Sequence, residues 1–189
     1  GRLSRAALAL TAGALVKFVP ALLLPMVVVV SLKRLREWRA RVPALLVTGL
    51  SCALLAAGFY VPFWRGGDPF GVGRRSALFS TSLPSLIRWT AEPMAGAGWA
   101  RTLAIGGALG ALGVWMAWQL LLLWRSREET APARAGLSIL TFYLLASCPW
   151  LQPWYALWLL ALAPLVPAGV LQTGSLLVSG AFLLKMPAF

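Results

Sequence analysis

Four residues suited to recognising a ligand lie in one short stretch, which reads PWLQPWYALW at positions 149–158. Gln152 stands before a proline, which has no N–H to donate to a continuing helix, so the amide is predicted to lie at a helix break. An amide there could hydrogen-bond a sugar hydroxyl, with the rings of Trp154, Tyr155 and Trp158 as stacking walls. Aromatic residues also gather at membrane surfaces. The stretch therefore predicts either one wall of a substrate pocket or an interfacial anchor.

Lys17 is the second residue that stands out, because it interrupts an apolar segment, ALVKFVPALLLP. It lies about 15 residues before the nearest basic cluster, which is roughly 22 Å along a helix. A charged side chain at mid-membrane costs about 2.5–3.5 kcal/mol on insertion scales, and such residues usually face an interior site. The ammonium would suit the phosphate of an anionic lipid. The alternative is that the side chain extends to the outer lipid headgroups.

A basic segment, residues 63–98, holds further candidates for phosphate binding, namely Arg74, Arg75 and Arg88. The planar guanidinium of arginine matches phosphate geometry, although contact with anionic headgroups would explain the same residues. Asp68 is the only aspartate in the chain. It is a candidate general base because the chain has no histidine. The surrounding GGDPFG is equally typical of a turn, in which Asp caps its own backbone.

Several other chemistries are not expected. The two cysteines, Cys52 and Cys148, lie in or at the end of apolar runs and there is no histidine, so we predict no metal site, no disulfide framework and no cofactor. The GGALGALG run sits inside an apolar segment and favours close helix packing over nucleotide binding. The net charge of +12 does not predict a nucleic-acid partner, because the largest basic cluster flanks apolar helices.

The composition predicts the elements that must position these residues. Hydrophobic residues make up 60% of the chain and charged ones 12%, with a mean hydropathy of +0.80. Soluble domains are about 45–50% apolar. We therefore predict an all-α, polytopic membrane bundle of about four full transmembrane helices and two broken or short segments. The apolar segments are 3–16, 21–32, 42–60, 99–124, 136–148, 155–166 and 168–184.

The basic residues predict the orientation of this bundle in a cell (inner) membrane. The cluster KRLREWRAR at 33–41 belongs on the cytoplasmic side by the positive-inside rule, and we place 125–135 there too. Residues 63–98 then form an extracytoplasmic loop, with a short surface helix expected over 78–89. Membrane lipids are expected partners. We expect 1–189 to be one transmembrane region, and part of a larger protein because it opens without Met.

Several of these stretches together resemble the C-terminal half of membrane glycosyltransferases of the C superfamily. They are ALVKFVPALLLP, the basic loop, FYVPF and LQPWYALWLLALAPL. The most similar group is the bacterial polyprenyl-phosphate-dependent mannosyltransferases of glycosyltransferase family 87. The resemblance implies transfer of a hexose such as mannose from a polyprenyl-phosphate donor to a lipid or glycan acceptor outside the cytoplasm.

The resemblance also implies roles for individual residues. Lys17 matches a family lysine near the expected donor phosphate, and Gln152 and Tyr155 match a Gln-Tyr-type motif beside a short helix. Lys17 and the loop arginines would neutralise the departing phosphate without a metal. The catalytic carboxylate of the family lies in an upstream outer loop that nothing here matches, so we expect the chain alone to be inactive. A transporter or lipid flippase segment and a non-catalytic membrane subunit remain the alternatives.

Overall fold

A computed structural model describes residues 2–17, 19–34, 38–63 and 82–184 of the chain. The prediction of an all-α protein is confirmed for these residues, which form helices and turns and no strand. Seven α-helices lie in these ranges: α1 Arg2–Val16, α2 Leu24–Arg34, α3 Trp38–Tyr60, α4 Leu83–Arg125, α5 Ala131–Phe142, α6 Ala156–Leu162 and α7 Val170–Leu184. Short 3-10 turns occupy Val19–Leu23, Val61–Phe63, Pro153–Tyr155 and Ala163–Leu165, and one π-helical turn occupies Tyr143–Ser147.

Two of these helices, α3 and α4, contain stretches long and apolar enough to cross a membrane. The stretch in α3 is Arg41–Tyr60, and none of its most apolar part is buried within the structure. The other apolar helical stretches are shorter, Ser4–Val16, Pro153–Leu165 and Val170–Leu184. By length alone, two helices therefore reach full spanning size in the described part of the chain, fewer than the four predicted.

The described residues fall into two compact units. The first contains α1, α2, α3 and the segment Leu120–Ser126, which includes the end of α4. In it, α1 packs against α3, and the hydroxyls of Ser4 and Thr48 lie 3.2 Å apart across that contact. Where α1 turns toward the 3-10 segment, a Cβ at Gly13 would lie 3.3 Å from Pro20 Cγ, so a hydrogen there allows the close approach.

A lysine joins α2 to the end of α4 within this first unit. Lys33 Nζ donates hydrogen bonds to the carbonyl oxygens of Leu123, at 2.7 Å, and Ser126. The last carbonyls of a helix have no partner inside the helix, and a cation near them also offsets the helix dipole. The basic residues at 33–34 and the end of α4 therefore lie together.

The second unit contains the rest of α4 and the helices α5, α6 and α7. Its core is apolar, with Leu137, Ile139, Leu144 and Leu159 almost fully buried. Several polar side chains inside it are paired. Thr141 and Ser175 hydroxyls lie 2.9 Å apart between α5 and α7. Trp115 stacks on Phe142 with ring centroids 5.0 Å apart and donates from Nε1 to Ser138 Oγ at 3.2 Å.

The helix α4 begins earlier than expected. The sequence predicted a loop over 63–98 with a short helix at 78–89, followed by a transmembrane helix from Trp99. Residues 83–89 are helical, but they belong to α4, which runs on from Leu83 to Arg125. Ser82 accounts for this start, because its hydroxyl accepts a 3.4 Å hydrogen bond from the Ser85 N–H and its carbonyl accepts one from Leu86. Gly96, with φ 77° and ψ 157°, interrupts α4, so residues 83–95 and 97–125 form separate helical parts. Residues 78–81 of the expected surface helix lie outside the described residues.

Candidate functional site

The break predicted at the PWLQPWYALW stretch is present and is caused by its two prolines. After the π-helical turn, Cys148 (φ −78°, ψ 110°) and Gln152 (φ −120°, ψ 142°) are both extended. Each precedes a proline, whose ring disfavours the helical conformation of the residue before it. Residues 148–152 therefore leave the helical path between α5 and α6.

Side chains and backbone groups order this break. Cys148 N–H donates to the Tyr143 carbonyl at 2.7 Å, which closes the π-helical turn. Cys148 Sγ donates to the Trp150 carbonyl at 3.3 Å. From the start of α4, Ser82 Oγ donates to the Pro149 carbonyl at 3.0 Å. Carbonyls released by the break thus regain partners, as a buried backbone requires.

The aromatic residues of the stretch form one cluster but differ in exposure. Tyr155 stacks on Trp158 with centroids 4.3 Å apart and an interplanar angle of 16°, and meets Trp154 edge-on at 6.3 Å. Tyr155 is only 5% exposed, whereas Trp154 is 46% exposed. A ligand could stack on Trp154 as the cluster stands, but Tyr155 presents no free ring face. Tyr155 therefore acts mainly as packing in this arrangement.

Gln152 lines a small cavity beside the break. The cavity has a volume of about 10 Å³ and is lined by Leu151, Gln152, Pro153 and Phe182. That is room for about one water molecule, far less than the roughly 300–1,000 Å³ of small-molecule sites, so these residues can be only one edge of such a site. Phe182 was not predicted, because it lies in an apolar helix, α7, with no local signal that sets it apart. Trp154, Tyr155 and Trp158 do not line this cavity.

A second residue that the sequence did not single out lies next to the break. Ser147, in the π-helical turn, is 3% exposed, and its Oγ has no hydrogen-bond partner among the described residues. A buried hydroxyl without a partner costs about 1–3 kcal/mol, and π-helical turns occur frequently at functional sites. No pattern in the surrounding YLLAS marks this serine from the sequence alone.

The break predicted at Lys17 is also present, in the first unit. Lys17 lies just after α1 and before the 3-10 turn Val19–Leu23, and its N–H donates to the Gly13 carbonyl at 2.8 Å. The residue is half-buried. Gln152 and its cavity belong to the second unit.

The predicted phosphate-binding arginines are only partly described. Arg74, Arg75 and the candidate base Asp68 lie outside the described residues. Arg88 lies on α4, where its Nε is 3.6 Å from Glu92 Oε2, one helical turn away. That pairing partly offsets the arginine charge, so a phosphate would compete with Glu92 for it.

Among the described residues, no group of three or more His, Cys, Asp or Glu side chains lies close enough to hold a metal ion. No family model, curated protein or solved structure is significantly similar to the chain.

Proposed function

We propose that the chain is a multi-pass segment of a cell membrane protein. The observation that supports this is the exposure of α3. Its stretch Arg41–Tyr60 exposes Leu46, Leu50 and Leu54, and no residue of its most apolar part is buried. An apolar helix in the core of a soluble protein would be mostly buried. At about 1.5 Å per residue, 20 residues match a hydrocarbon layer of about 30 Å.

The contact between Lys33 and α4 supports the proposed orientation. The hydrogen bonds from Lys33 place this residue of the segment 33–41 next to Ser126 of the segment 125–135. Both segments are basic overall, and the positive-inside rule favours such segments in the cytoplasm. The remaining helices, shorter than α3 and α4, complete the proposed bundle of about four crossings and two broken segments.

For its activity, we propose that the chain supplies part of the site of a glycosyltransferase that uses a polyprenyl-phosphate hexose. The observation that carries the proposal is the helix break at 148–152, where Gln152 lines a cavity and Trp154 stays exposed beside it. A backbone that leaves the helix within a membrane is tolerated only beside protein or a water-filled cavity. An amide and an indole ring together suit the hydroxyls and the apolar face of a sugar.

In the proposed reaction, an acceptor hydroxyl attacks the anomeric carbon of the donor sugar while the bond to the polyprenyl phosphate breaks. The acceptor proton passes to a carboxylate. Asp68 is the candidate in this chain, whereas the resemblance implies a carboxylate in an upstream outer loop. Negative charge grows on the departing phosphate. Lys17 and the arginines Arg74, Arg75 and Arg88 would stabilise that charge, because fixed cations act most strongly where charge develops.

The test is a transfer assay on protein expressed from its complete open reading frame, in membranes supplied with radiolabelled polyprenyl-phosphate mannose. We expect Gln152→Ala to lower kcat/KM about five- to tenfold, the equivalent of one neutral hydrogen bond. Lys17→Ala should lower it about 10- to 100-fold, and Lys17→Arg should recover part of the loss because the charge is kept.

Gln172→Ala is the matched control, because that amide donates to the Ala163 carbonyl at 3.0 Å and does not line the cavity. Unchanged transfer in folded Gln152→Ala and Lys17→Ala proteins would overturn the assignment of the site. Movement of the labelled lipid across the bilayer without sugar transfer would overturn the enzyme proposal in favour of a flippase.

A further inference from the structure

We refer to the first part of α4, residues 83–95, as the N-terminal arm. Its apolar side chains are exposed and its charged side chains are half-buried, the reverse of a helix that faces water. Its exposed residues include Leu86, Trp89 and Met94, with Trp89 80% and Met94 89% exposed. The charged pair of the arm, Arg88 and Glu92, is half-buried. At about 100° per residue, the three apolar residues fall within one arc and the charged pair lies on the opposite side. A helix facing water places its polar residues outward, so this exposure pattern suits an apolar medium.

The length of α4 gives an independent reason to place the N-terminal arm outside the bilayer core. The 43 residues of α4 would extend about 65 Å as one straight helix, more than twice the hydrocarbon thickness of about 30 Å. Residues 97–125 alone are long enough to cross. Gly96 interrupts the helix between the two parts, and Trp89 and Trp99, both exposed, lie on either side of it. Tryptophan is enriched where membrane and water meet.

The N-terminal arm is fastened to the candidate site by Ser82, the residue just before it. Ser82 caps the arm through the Ser85 N–H, and the same Oγ donates to the Pro149 carbonyl in the helix break. Pro84, in the first turn, is almost fully buried. At the other end, the residues around Gly96 are exposed. The arm is therefore held at the break and lies open along its apolar face.

We propose that the N-terminal arm lies in the lipid interface and that, through Ser82, this contact holds the helix break at 148–152 in place. The partner is the boundary between acyl chains and headgroups, chosen because the exposed face is continuous with the apolar stretch of α4. This inference rests on the proposed membrane location and deepens the proposed function by naming a lipid contact that positions the site. It does not depend on which sugar, if any, is transferred.

Spin-label accessibility tests the lipid contact. Single cysteines replace Leu86, Trp89 and Met94 in a Cys52→Ala background, with Cys148 retained because it is buried. The labelled proteins are placed in phosphatidylethanolamine–phosphatidylglycerol vesicles, and collisions with oxygen and with a water-soluble nickel chelate give the depth. Leu109→Cys in the middle of α4 and Glu129→Cys in the polar linker are the deep and aqueous references, both at exposed positions.

We expect the three arm labels to report depths between those two references, and Ala95→Cys on the charged side, also at an exposed position, to lie nearer the aqueous one. Depths equal to that of Glu129→Cys would overturn the proposal, since the arm would then face water. Depths equal to that of Leu109→Cys would also overturn it, since the arm would then be inserted. Labels shielded from both reagents would indicate a protein partner or a second copy on this face, which contradicts the lipid assignment.

Hydrogen exchange tests the fastening of the break, without any donor present. Ser82→Ala removes the hydrogen bond to Pro149, so exchange in the peptide covering 148–152 should rise about fivefold or more. Thr90→Ala is the control, because the Thr90 hydroxyl donates to carbonyls of its own helix, those of Leu86 and Ile87. Unchanged exchange in Ser82→Ala would overturn the fastening. If the label depths and the exchange rates are as expected but no sugar is transferred, only the proposed enzyme activity is overturned.

Discussion

Lys33 Nζ lies 2.7 Å from the carbonyl oxygen of Leu123 and also bonds the carbonyl of Ser126, so one ammonium caps the end of α4. Lys33→Met keeps much of the side-chain volume and removes both hydrogen bonds. We expect it to lower the free energy of unfolding by about 1–2 kcal/mol, since charged caps and hydrogen bonds each contribute on this scale. Equilibrium unfolding in mixed detergent micelles measures this free energy.

Arg39→Met is the control for Lys33, because Arg39 is an exposed basic residue at the start of α3 in the same cluster. It should change stability by less than about 0.5 kcal/mol. Equal losses in the two variants would mean that general charge, and not the cap on α4, explains the effect.

Gly96 is the one described glycine with a positive φ, and its ψ of 157° places it in a region that other residues almost never adopt. Gly96→Ala should cost about 1–3 kcal/mol of stability for backbone strain alone, because no atom would lie within 4 Å of the added Cβ. Thermal unfolding of the reconstituted protein is the measurement.

Gly98→Ala provides a matched comparison for Gly96→Ala. It is two residues further along α4, also has open space at the Cβ position, and has no positive φ. In a helix, Ala is favoured over Gly by about 0.5–1 kcal/mol, so this variant should be neutral or slightly more stable. A destabilised Gly98→Ala would show that the region resists any added methyl group.

Removing the unpartnered hydroxyl of Ser147 should stabilise the protein. Ser147→Ala leaves the packing nearly unchanged and removes the cost of burying that oxygen, so we expect equal stability or a gain of about 1 kcal/mol. Ser179→Ala, in contrast, loses a 2.8 Å hydrogen bond to the Ser175 carbonyl and should lose about 1 kcal/mol. Paired thermal melts distinguish them, and a clear loss in Ser147→Ala would reveal a partner for the hydroxyl.

Tyr155 and Trp154, adjacent in the candidate site, should respond differently to truncation. Tyr155→Ala removes a buried ring stacked on Trp158 and should cost about 3–5 kcal/mol. Trp154→Ala removes a half-exposed ring that meets Tyr155 edge-on and should cost only about 1 kcal/mol. Unfolding by a denaturing detergent measures the stability of both variants. Fluorescence titration with a polyprenyl-phosphate sugar then tests binding in Trp154→Ala. Similar losses of stability would contradict the distinction between packing and exposed ring.

Much of the secondary structure could be predicted from local sequence. Apolar length located the helices, and the prolines at 149 and 153 located the break around Gln152, because a proline restricts its own residue and the one before it. The early start of α4 carried a signal too. Ser82 followed by Pro84 is typical of a helix N-terminus, with a hydroxyl to cap the first turn and a proline that needs no partner there.

The sequence by itself determined the helical character of the described chain and the two interruptions at Lys17 and Gln152, since both depend on contacts within a few residues. Only the tertiary structure decided that Tyr155 is buried while Trp154 is exposed, that Phe182 completes the cavity of Gln152, and that Ser82 fastens the break. These facts depend on which helices pack together. Residues as far apart in the chain as Gln152 and Phe182 meet only when α7 packs back against the break. The same packing gives the neighbouring aromatic residues Trp154 and Tyr155 different environments.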